Sequence, residues 1–264
     1  MKLAIFYQHI QKAAEESGKS VLEIMRALKE EGLTGVEFNI LDVREPILLF
    51  LQSAGLTISS IYAYVPFFSG DTEEGIRLVD KAFSVGCRTV MVVPGNIPEG
   101  IEKTEVLQQS IMPLRQITEY GAKRGVTVTV EDYDGTRPLF STSDDMLFFG
   151  EKIPALFYTY DSGNFYTVED PLLALDALKK KITHVHLKDI SHSPIGGSGE
   201  KRRVRSGDFV YDVPFGFGEL PCADILKRLQ EIDYSGYLCF EHNAKAMMDA
   251  NFAAVRWTKK QISQ

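Results

Sequence analysis

Four residues of the types that hold divalent metal ions stand at or near the ends of short apolar runs. Three are acidic, Glu131, Asp161 and Glu241, and the fourth is His186. Carboxylates that are brought together repel one another and raise one another's pKa unless a cation neutralises them. Three carboxylates with one imidazole suit Mn²⁺, Mg²⁺, Co²⁺ or Zn²⁺, whereas a structural zinc site is rich in cysteine. The sequence therefore predicts one divalent metal ion held by these four side chains.

The apolar runs that carry these residues belong to a series of eight predicted strands that alternate with helices. The strands are Leu3–Tyr7, Gly35–Asn39, Thr57–Ala63, Thr89–Val93, Val126–Glu131, Ala155–Asp161, Thr183–Leu187 and Tyr237–Glu241, and helical patterns include Val21–Glu31, Thr72–Val85, Gln108–Arg124 and Ala223–Glu231. Several helices are followed by a glycine in the place of a helix C-cap. Alternating strands and helices imply a parallel sheet, and eight such units favour closure over an open sheet. The predicted fold is α/β, a single-domain (β/α)8 TIM barrel over residues 1–264.

Strand parity indicates which side chains face the barrel interior. In the run VTVTVE the valines take the outward phase, which turns Glu131 inward. The same alternation turns His184, His186 and Lys188 inward on one strand and Glu241 inward on another. The phase of the strand before Asp161 is ambiguous, so that ligand is assigned by position. A lone carboxylate at a strand end is usually solvated. Four potential metal ligands at or near the ends of four successive strands instead favour a site at the C-terminal mouth of the barrel.

Composition and charge limit the partners that the chain would bind. Hydrophobic residues make up 44% and charged residues 25%, and the formal net charge is −7. This acidity disfavours a nucleic-acid-binding surface. The three cysteines are odd in number and lack C-x-x-C spacing, which is typical of reduced thiols. No signal peptide or long apolar stretch is evident, so we expect a cytoplasmic protein without a membrane partner, and a homo-oligomer is compatible with the sequence.

A family resemblance covers nearly the whole chain. The matching segments, in order, are GVEF, VTVEDYDG, YDSGN, HVHLKD, VPFGFGEL and SGYLCFEH. They resemble the xylose isomerase-like TIM barrel superfamily, in particular its sugar phosphate isomerase/epimerase branch. The resemblance implies that Glu131, Asp161, His186 and Glu241 bind the metal, and that the two glutamates move a proton at a carbon α to a carbonyl. The metal would then polarise the carbonyl and stabilise an enediolate.

Six further residues are predicted to bind substrate: Asn164, Lys188, Arg203, Arg205, Glu37 and His9. Asn164 stands where many family members carry a histidine, three residues after the metal aspartate, so it would bind without titrating. Arg203 and Arg205 lie in a predicted irregular loop, Ile190–Glu219, whose basic part Gly196–Arg205 is either a phosphate-binding loop or a solvated lid. Asp189 either caps that loop or contacts substrate.

The leading functional hypothesis is a metal-dependent isomerase or epimerase of a small sugar, keto-sugar or sugar phosphate. The alternative is a lyase on the same site that dehydrates a keto-inositol, because both reactions begin by removing an α-proton. An endonuclease IV-like hydrolase is less favoured, since the chain has five histidines and a net charge of −7. A catalytically silent sugar-binding barrel is disfavoured by the full set of candidate ligands.

Overall fold

The computed structural model describes residues 1–195 and 198–263, and in them eight parallel strands form a closed barrel. In chain order the strands are β1 (Lys2–Phe6), β2 (Gly35–Asn39), β3 (Thr57–Tyr64), β4 (Thr89–Val93), β5 (Thr127–Glu131), β6 (Leu156–Asp161), β7 (Ile182–Leu187), β8 (Asp189–Ser191), β9 (Lys201–Arg203), β10 (Phe209–Val213) and β11 (Tyr237–Phe240). The barrel consists of β1–β7 and β11, in the order β1-β11-β7-β6-β5-β4-β3-β2. Each predicted strand is present with its ends displaced by at most one residue, so the predicted TIM barrel fold is confirmed.

Helices connect the strands. They are α1 (Tyr7–Ser17), α2 (Val21–Glu31), α3 (Ile47–Ser53), α4 (Glu73–Ser84), α5 (Lys103–Lys123), α6 (Ser143–Lys152), α7 (Ser162–Tyr166), α8 (Pro171–Leu178), α9 (Cys222–Glu231) and α10 (Met247–Ile262). The N-terminus of α2 is a capping box, in which Ser20 and Glu23 bond each other's backbone N–H. Gly32 ends α2 with φ 109°, a left-handed conformation that favours glycine. Within the described residues, every helix is too short or too polar to cross a membrane.

Backbone contacts group the chain into two compact units, the first of which combines Met1–Ser59 with Val185–Gln264. In this unit β1 pairs in parallel with β11 and with β2, and the register sets Ala4 beside Cys239 and Phe6 beside Glu37. Helix α1 packs against α2 and α10 on the outside of these strands. The register therefore brings Glu37 level with the C-terminal end of β1.

The second unit is Ser60–His184, and it contains a run of consecutive parallel strands. Strands β3, β4, β5 and β6 pair in sequence order, with Glu131 opposite Thr159. The Thr129 hydroxyl lies 3.0 Å from the carbonyl oxygen of Val90 and 2.8 Å from the Thr159 hydroxyl. A buried hydroxyl that is bonded in this way costs little to bury, and it links three neighbouring strands. These strands hold Glu131 and Asp161 at the ends of β5 and β6.

The prediction of an irregular loop over Ile190–Glu219 is wrong for three segments, which form the strands β8, β9 and β10. Strands β8, β10 and β9 form an antiparallel sheet in that order, with Val210 opposite Arg202. Arg202 Nε also donates to Asp212 Oδ1 at 2.7 Å. The sequence of β9 is Lys-Arg-Arg and largely exposed, so it has no apolar alternation, and its pairing with β10 is what makes it a strand. Gly196 and Gly197, which the prediction placed in the same loop, lie outside the described residues.

Close packing of α5 on β5 predicts that Gly121→Ala destabilises the protein. A Cβ at Gly121 would lie 2.7 Å from the backbone oxygen of Val126 and 2.7 Å from Val128 Cγ2, and the backbone atom cannot rotate away. We expect a loss of about 1–3 kcal/mol in the free energy of unfolding, measured by urea denaturation. The neighbouring exposed residue offers the control, since Ala122→Ser should change that free energy by less than about 0.5 kcal/mol. Equal stabilities for the two variants would contradict the packing described here.

Candidate metal centre

His186, near the end of β7, lies between two glutamates in the first unit. Its side chain is fully buried. The ring Nδ1 is 3.2 Å from Glu241 Oε2, and Nε2 is 3.1 Å from Glu37 Oε2. Glu241 directly follows β11 and is held by its backbone N–H, which donates to the carbonyl oxygen of Leu187 at 3.1 Å. The ends of β7 and β11 thus set an imidazole against a carboxylate, as strand parity predicts.

Lys188 forms an ion pair with Glu241. Its Nζ lies 2.9 Å from Glu241 Oε1, and the two side chains are 10% and 24% exposed. Burial raises the pKa of Glu241, but the ammonium of Lys188 and the ring of His186 outweigh this and hold the pKa well below its ordinary value. Glu241 is therefore ionised at neutral pH. Lys188, predicted from the sequence to bind substrate, thus also fixes the charge of a candidate ligand.

Asp161 ends β6 and begins α7. Its Oδ1 accepts hydrogen bonds from the backbone N–H groups of Gly163 and Asn164, both at 2.8 Å, which is the geometry of a helix N-cap. Asn164 is buried, and its side-chain Nδ2 donates to the carbonyl oxygen of Asp132 at 2.9 Å. The amide that stands in place of the family's common histidine therefore bonds the backbone just after β5.

Asp132 was missed by the sequence interpretation. It is fully buried, and its Oδ1 accepts from the backbone N–H of Asp161 at 3.1 Å. Burial, with the negative charges of Asp161 and Glu131, raises its pKa well above the ordinary value. The raised pKa favours the protonated form of the Asp132 carboxyl group, and its Oδ1 supports the backbone of Asp161. The sequence offered one indication of Asp132, its position directly after Glu131. Continuing the alternation of the valines, however, would place its side chain in the outward phase.

The four predicted ligands come together as one group. Glu131, Asp161, His186 and Glu241 each offer an oxygen or nitrogen atom, and these atoms lie within 4.8 Å of one another. Three carboxylates and one imidazole form a donor set of the kind that binds Mn²⁺, Mg²⁺, Co²⁺ or Zn²⁺. Asp161 and His186 are fully buried, and repulsion between the Asp161 carboxylate and the other two carboxylates is costly unless a cation balances it. By the chemistry of their donors, these residues fit a divalent ion.

Asp189 anchors the chain that follows His186. Its carboxylate accepts from the backbone N–H groups of Gly216 at 3.0 Å, Gly218 at 2.7 Å and Leu220 at 3.2 Å. Burial raises its pKa, and these bonds oppose that shift. Gly218 is required here because a Cβ would lie 2.3 Å from Asp189 Oδ1. Of the two roles that the sequence left open for Asp189, the geometry favours holding the loop.

A cavity of about 300 Å³ in the first unit opens beside Glu241. Its lining is polar and comprises Gln8, His9, Lys12, Asp212, Glu241, His242, Asn243 and Met247. The rings of His9 and His242 are buried and stacked with centroids 5.0 Å apart. Burial lowers the pKa of His9 well below its ordinary value and that of His242 to about 4, so both are neutral at neutral pH.

The cavity contains one of the predicted substrate-binding residues, His9, together with residues that the sequence interpretation missed. His242 could have been found from its position directly after Glu241, whereas Lys12 and Asp212 carried no signal. Arg203 and Arg205 are exposed, the first on β9 and the second after it, and Arg203 Nε donates to the carbonyl oxygen of Gly207. The two arginines are thus on the solvated part of the β9–β10 hairpin.

Comparison with known proteins identifies a shared family and a shared fold. The sequence model of the family described as "Xylose isomerase-like TIM barrel" matches residues 25–261. An inosose dehydratase of Clostridium botulinum (strain Alaska E43 / Type E3) is 29% identical over 134 residues, 48% of this chain and 44% of that protein. The chain spans about half the length of the curated relatives that it matches.

Two solved structures cover almost all of the chain. An L-ribulose 3-epimerase aligns with a TM-score of 0.75 at 17% identity, over 100% of this chain and 95% of that one. The probable 3-DHS dehydratase AsbF from Bacillus anthracis aligns with a TM-score of 0.75 at 19% identity, over 98% and 99% of the two chains. At these identities the likeness supports the fold.

The depressed pKa of His242 predicts a pH-dependent loss of stability in the metal-free protein. The unfolded chain binds a proton near pH 6.5 and the folded chain only near pH 4, so stability is complete above pH 6.5 and falls between these values. From about pH 7.5 to about pH 5 this histidine should remove about 2 kcal/mol from the free energy of unfolding. In the His242→Gln variant, the free energy of unfolding measured by urea denaturation should fall less between these two pH values, by that amount.

The exposed His192 gives the matched control, and His192→Gln should retain the wild-type loss between the two pH values. A His242→Gln variant with the full wild-type dependence would show that His242 is protonated equally in the folded and unfolded chains.

Proposed function

Because this chain belongs to the xylose isomerase-like TIM barrel family, we propose that it is a divalent-metal-dependent isomerase or epimerase of a small sugar, keto-sugar or sugar phosphate. The observation that carries the proposal is the group formed by Glu131, Asp161, His186 and Glu241, whose donor atoms lie within 4.8 Å of one another. The proposed reaction moves a proton at a carbon α to a carbonyl.

The four grouped side chains would hold the metal ion. When bound, a divalent ion supplies positive charge that stabilises the negative charge developing on the substrate's carbonyl oxygen. Asp161 is fixed for this role by two backbone N–H donors, and His186 by its burial between Glu37 and Glu241. Ligands held by their surroundings lose little conformational entropy on binding, which favours tight binding of the ion.

Glu241 is suited to accept the proton. It is ionised because Lys188 and His186 hold its pKa low, and it lines the polar cavity. In the proposed step a Glu241 oxygen takes the α-proton, and the electron pair of the broken C–H bond shifts toward the carbonyl oxygen. In an epimerase Glu131, starting the cycle protonated, would deliver its proton to the opposite face of the same carbon, so that one C–H bond is lost, one is gained, and a proton passes overall from Glu131 to Glu241.

The cavity beside Glu241 supports a small polar substrate. Its volume of about 300 Å³ lies at the lower end of the range for small-molecule sites. The lining offers imidazole, amide, ammonium and carboxylate groups that can bond hydroxyls. The cation among its lining residues is Lys12, whose Nζ already donates to the carbonyl oxygen of Ala244 at 3.0 Å. Hydroxyl groups of a sugar therefore match this lining better than a phosphate does.

A second candidate is a lyase that uses the same site. The matching inosose dehydratase favours it, because a dehydratase also begins by removing a proton α to a carbonyl. The two reactions diverge at the next step, where the electron pair either recaptures a proton at carbon or expels a β-hydroxyl as water. The product mass separates them, since a dehydratase product is lighter by one water.

Deuterium incorporation tests the proton transfer. Protein loaded with Mn²⁺ or Co²⁺ in D₂O should introduce deuterium at the α-carbon of at least one member of a panel of ketoses, ketose phosphates and keto-inositols. At saturating metal, Glu241→Gln and Glu131→Gln should each slow exchange by roughly 10²–10⁴-fold, because each removes a group that carries the proton. Chelation should stop exchange in the wild type, and mass spectrometry measures all three effects.

The exposed Glu219 provides the control, and Glu219→Gln should exchange at the wild-type rate. Metal-loaded wild-type protein that leaves the whole panel unlabelled would contradict the proposed function. Loss of one water from the substrate mass, without formation of an epimer, would favour the lyase.

A further inference from the structure

Glu37 is a buried carboxylate that neither the proposed proton transfer nor the four-residue metal group uses. It lies on β2, its side chain is fully buried, and its Oε2 is 3.1 Å from His186 Nε2. A buried carboxylate is costly unless hydrogen bonds compensate for its lost hydration. The residue is 149 positions from His186 in sequence, so this contact is created only by the fold.

The two nitrogens of His186 have different neighbours. Nδ1 is 3.2 Å from Glu241 Oε2, on the side of the candidate metal ligands, while Nε2 meets Glu37. An imidazole binds a metal ion through the unprotonated nitrogen, and the other nitrogen then carries the proton. When Glu37 is ionised, its carboxylate can only accept a hydrogen bond, and the proton of His186 then lies on Nε2. That tautomer leaves the Nδ1 lone pair toward Glu241.

The surroundings keep both partners in place. Phe6, beside Glu37 in the sheet register, packs its ring edge-on against His186 with centroids 4.9 Å apart. Cys239 on β11 is buried near Glu37, whose carboxylate helps to raise the pKa of the thiol. The imidazole contact at Glu37 Oε2 and the ring contact with Phe6 together restrict rotation of the His186 ring.

We propose that Glu37 is a positioning residue for the metal centre: it accepts the Nε2 proton of His186 and so presents Nδ1 to the ion. This inference rests on the proposed metal-dependent function, because it assigns a ligand atom within that site. Carboxylate–histidine pairs of this kind set the orientation and basicity of metal-bound imidazoles. Glu37 itself would not contact substrate, which departs from the role that the sequence predicts for it.

A competing interpretation is a second metal site. Glu37, His184 and Cys239 also offer three donor atoms within 4.8 Å of one another, and all three residues are buried. The contact of Glu37 Oε2 with His186 Nε2 favours a packed carboxylate–histidine pair over a second ligand set, because it engages Glu37 with a candidate ligand of the four-residue group. The positioning role therefore requires one metal ion per chain, whereas the competing site requires two.

Metal titration tests the inference directly. Isothermal titration calorimetry of the full chain with Co²⁺ should show one site, and Glu37→Gln should weaken its affinity about 10–100-fold. The visible absorption of bound Co²⁺ should change in the variant, because the imidazole then binds in an altered orientation. Glu219→Gln is the matched control, since it alters another glutamate–histidine pair, 2.7 Å between Glu219 Oε2 and His192 Nδ1, outside the metal group. It should leave the affinity and the spectrum unchanged.

A second experiment does not depend on whether Glu37→Gln folds. It measures the tautomer of His186 in the wild-type protein. Long-range ¹H–¹⁵N spectra of histidine-labelled protein should show His186 protonated at Nε2 with and without Zn²⁺, the resonance being assigned by its absence in His186→Gln. A proton on Nδ1, a Glu37→Gln affinity equal to the wild-type value, or two bound ions per chain would each overturn the positioning role. The proposed function fails separately if wild-type protein binds Co²⁺ but exchanges no substrate proton.

Discussion

Burying carboxylates at the ends of parallel strands is the constraint on which the rest of this site depends. Each such group loses hydration and repels its acidic neighbours, and the structure offsets this cost differently at each position. Glu241 is paired with Lys188, Asp161 accepts two backbone N–H groups, and Glu37 is bonded to His186. Burial and the charges of Asp161 and Glu131 raise the pKa of Asp132 well above its ordinary value. A divalent ion would balance the negative charges of the proposed metal ligands.

Hydrogen bonds between buried carboxylates and backbone N–H groups also hold the backbone around the site. Asp189 collects three backbone N–H groups from residues 216–220, and it stands in the chain three residues after His186. The segment that carries His186 and Lys188 is therefore tied to the loop that leads into α9. Because a ligand misplaced by about 1 Å can cost a large part of catalysis, such ties have functional weight even though they touch no substrate.

The chemistry proposed from the family concerns the first step of the reaction, and the particular residues of this chain concern the second. In the proposed reaction a metal ion beside an ionised glutamate would account for removal of an α-proton, a first step that an epimerase and a dehydratase would share. The second step would depend on whether the substrate offers a β-hydroxyl that can leave, and hence on how the cavity with His9 and His242 orients it. Asn164 bonds the backbone after β5 through its side-chain amide, which does not titrate. It therefore provides no additional acid or base.

Local periodicity in the sequence predicted most of the fold and helped to identify the candidate ligands. Alternation in VTVTVE and HVHLK marked strands to within one residue and turned Glu131 and His186 toward the interior, since side chains on a strand alternate faces. The pairing of Glu37 with His186, the strand at Lys201–Arg203 and the bond from Asn164 to Asp132 had no such periodic signal. The two side-chain contacts join segments 149 and 32 residues apart, whereas Lys201–Arg203 is a charged segment that becomes a strand only by pairing with β10. Burial then influences which charges persist. Sequence determined which residues could bind a metal; only the closed sheet determined their partners and their protonation.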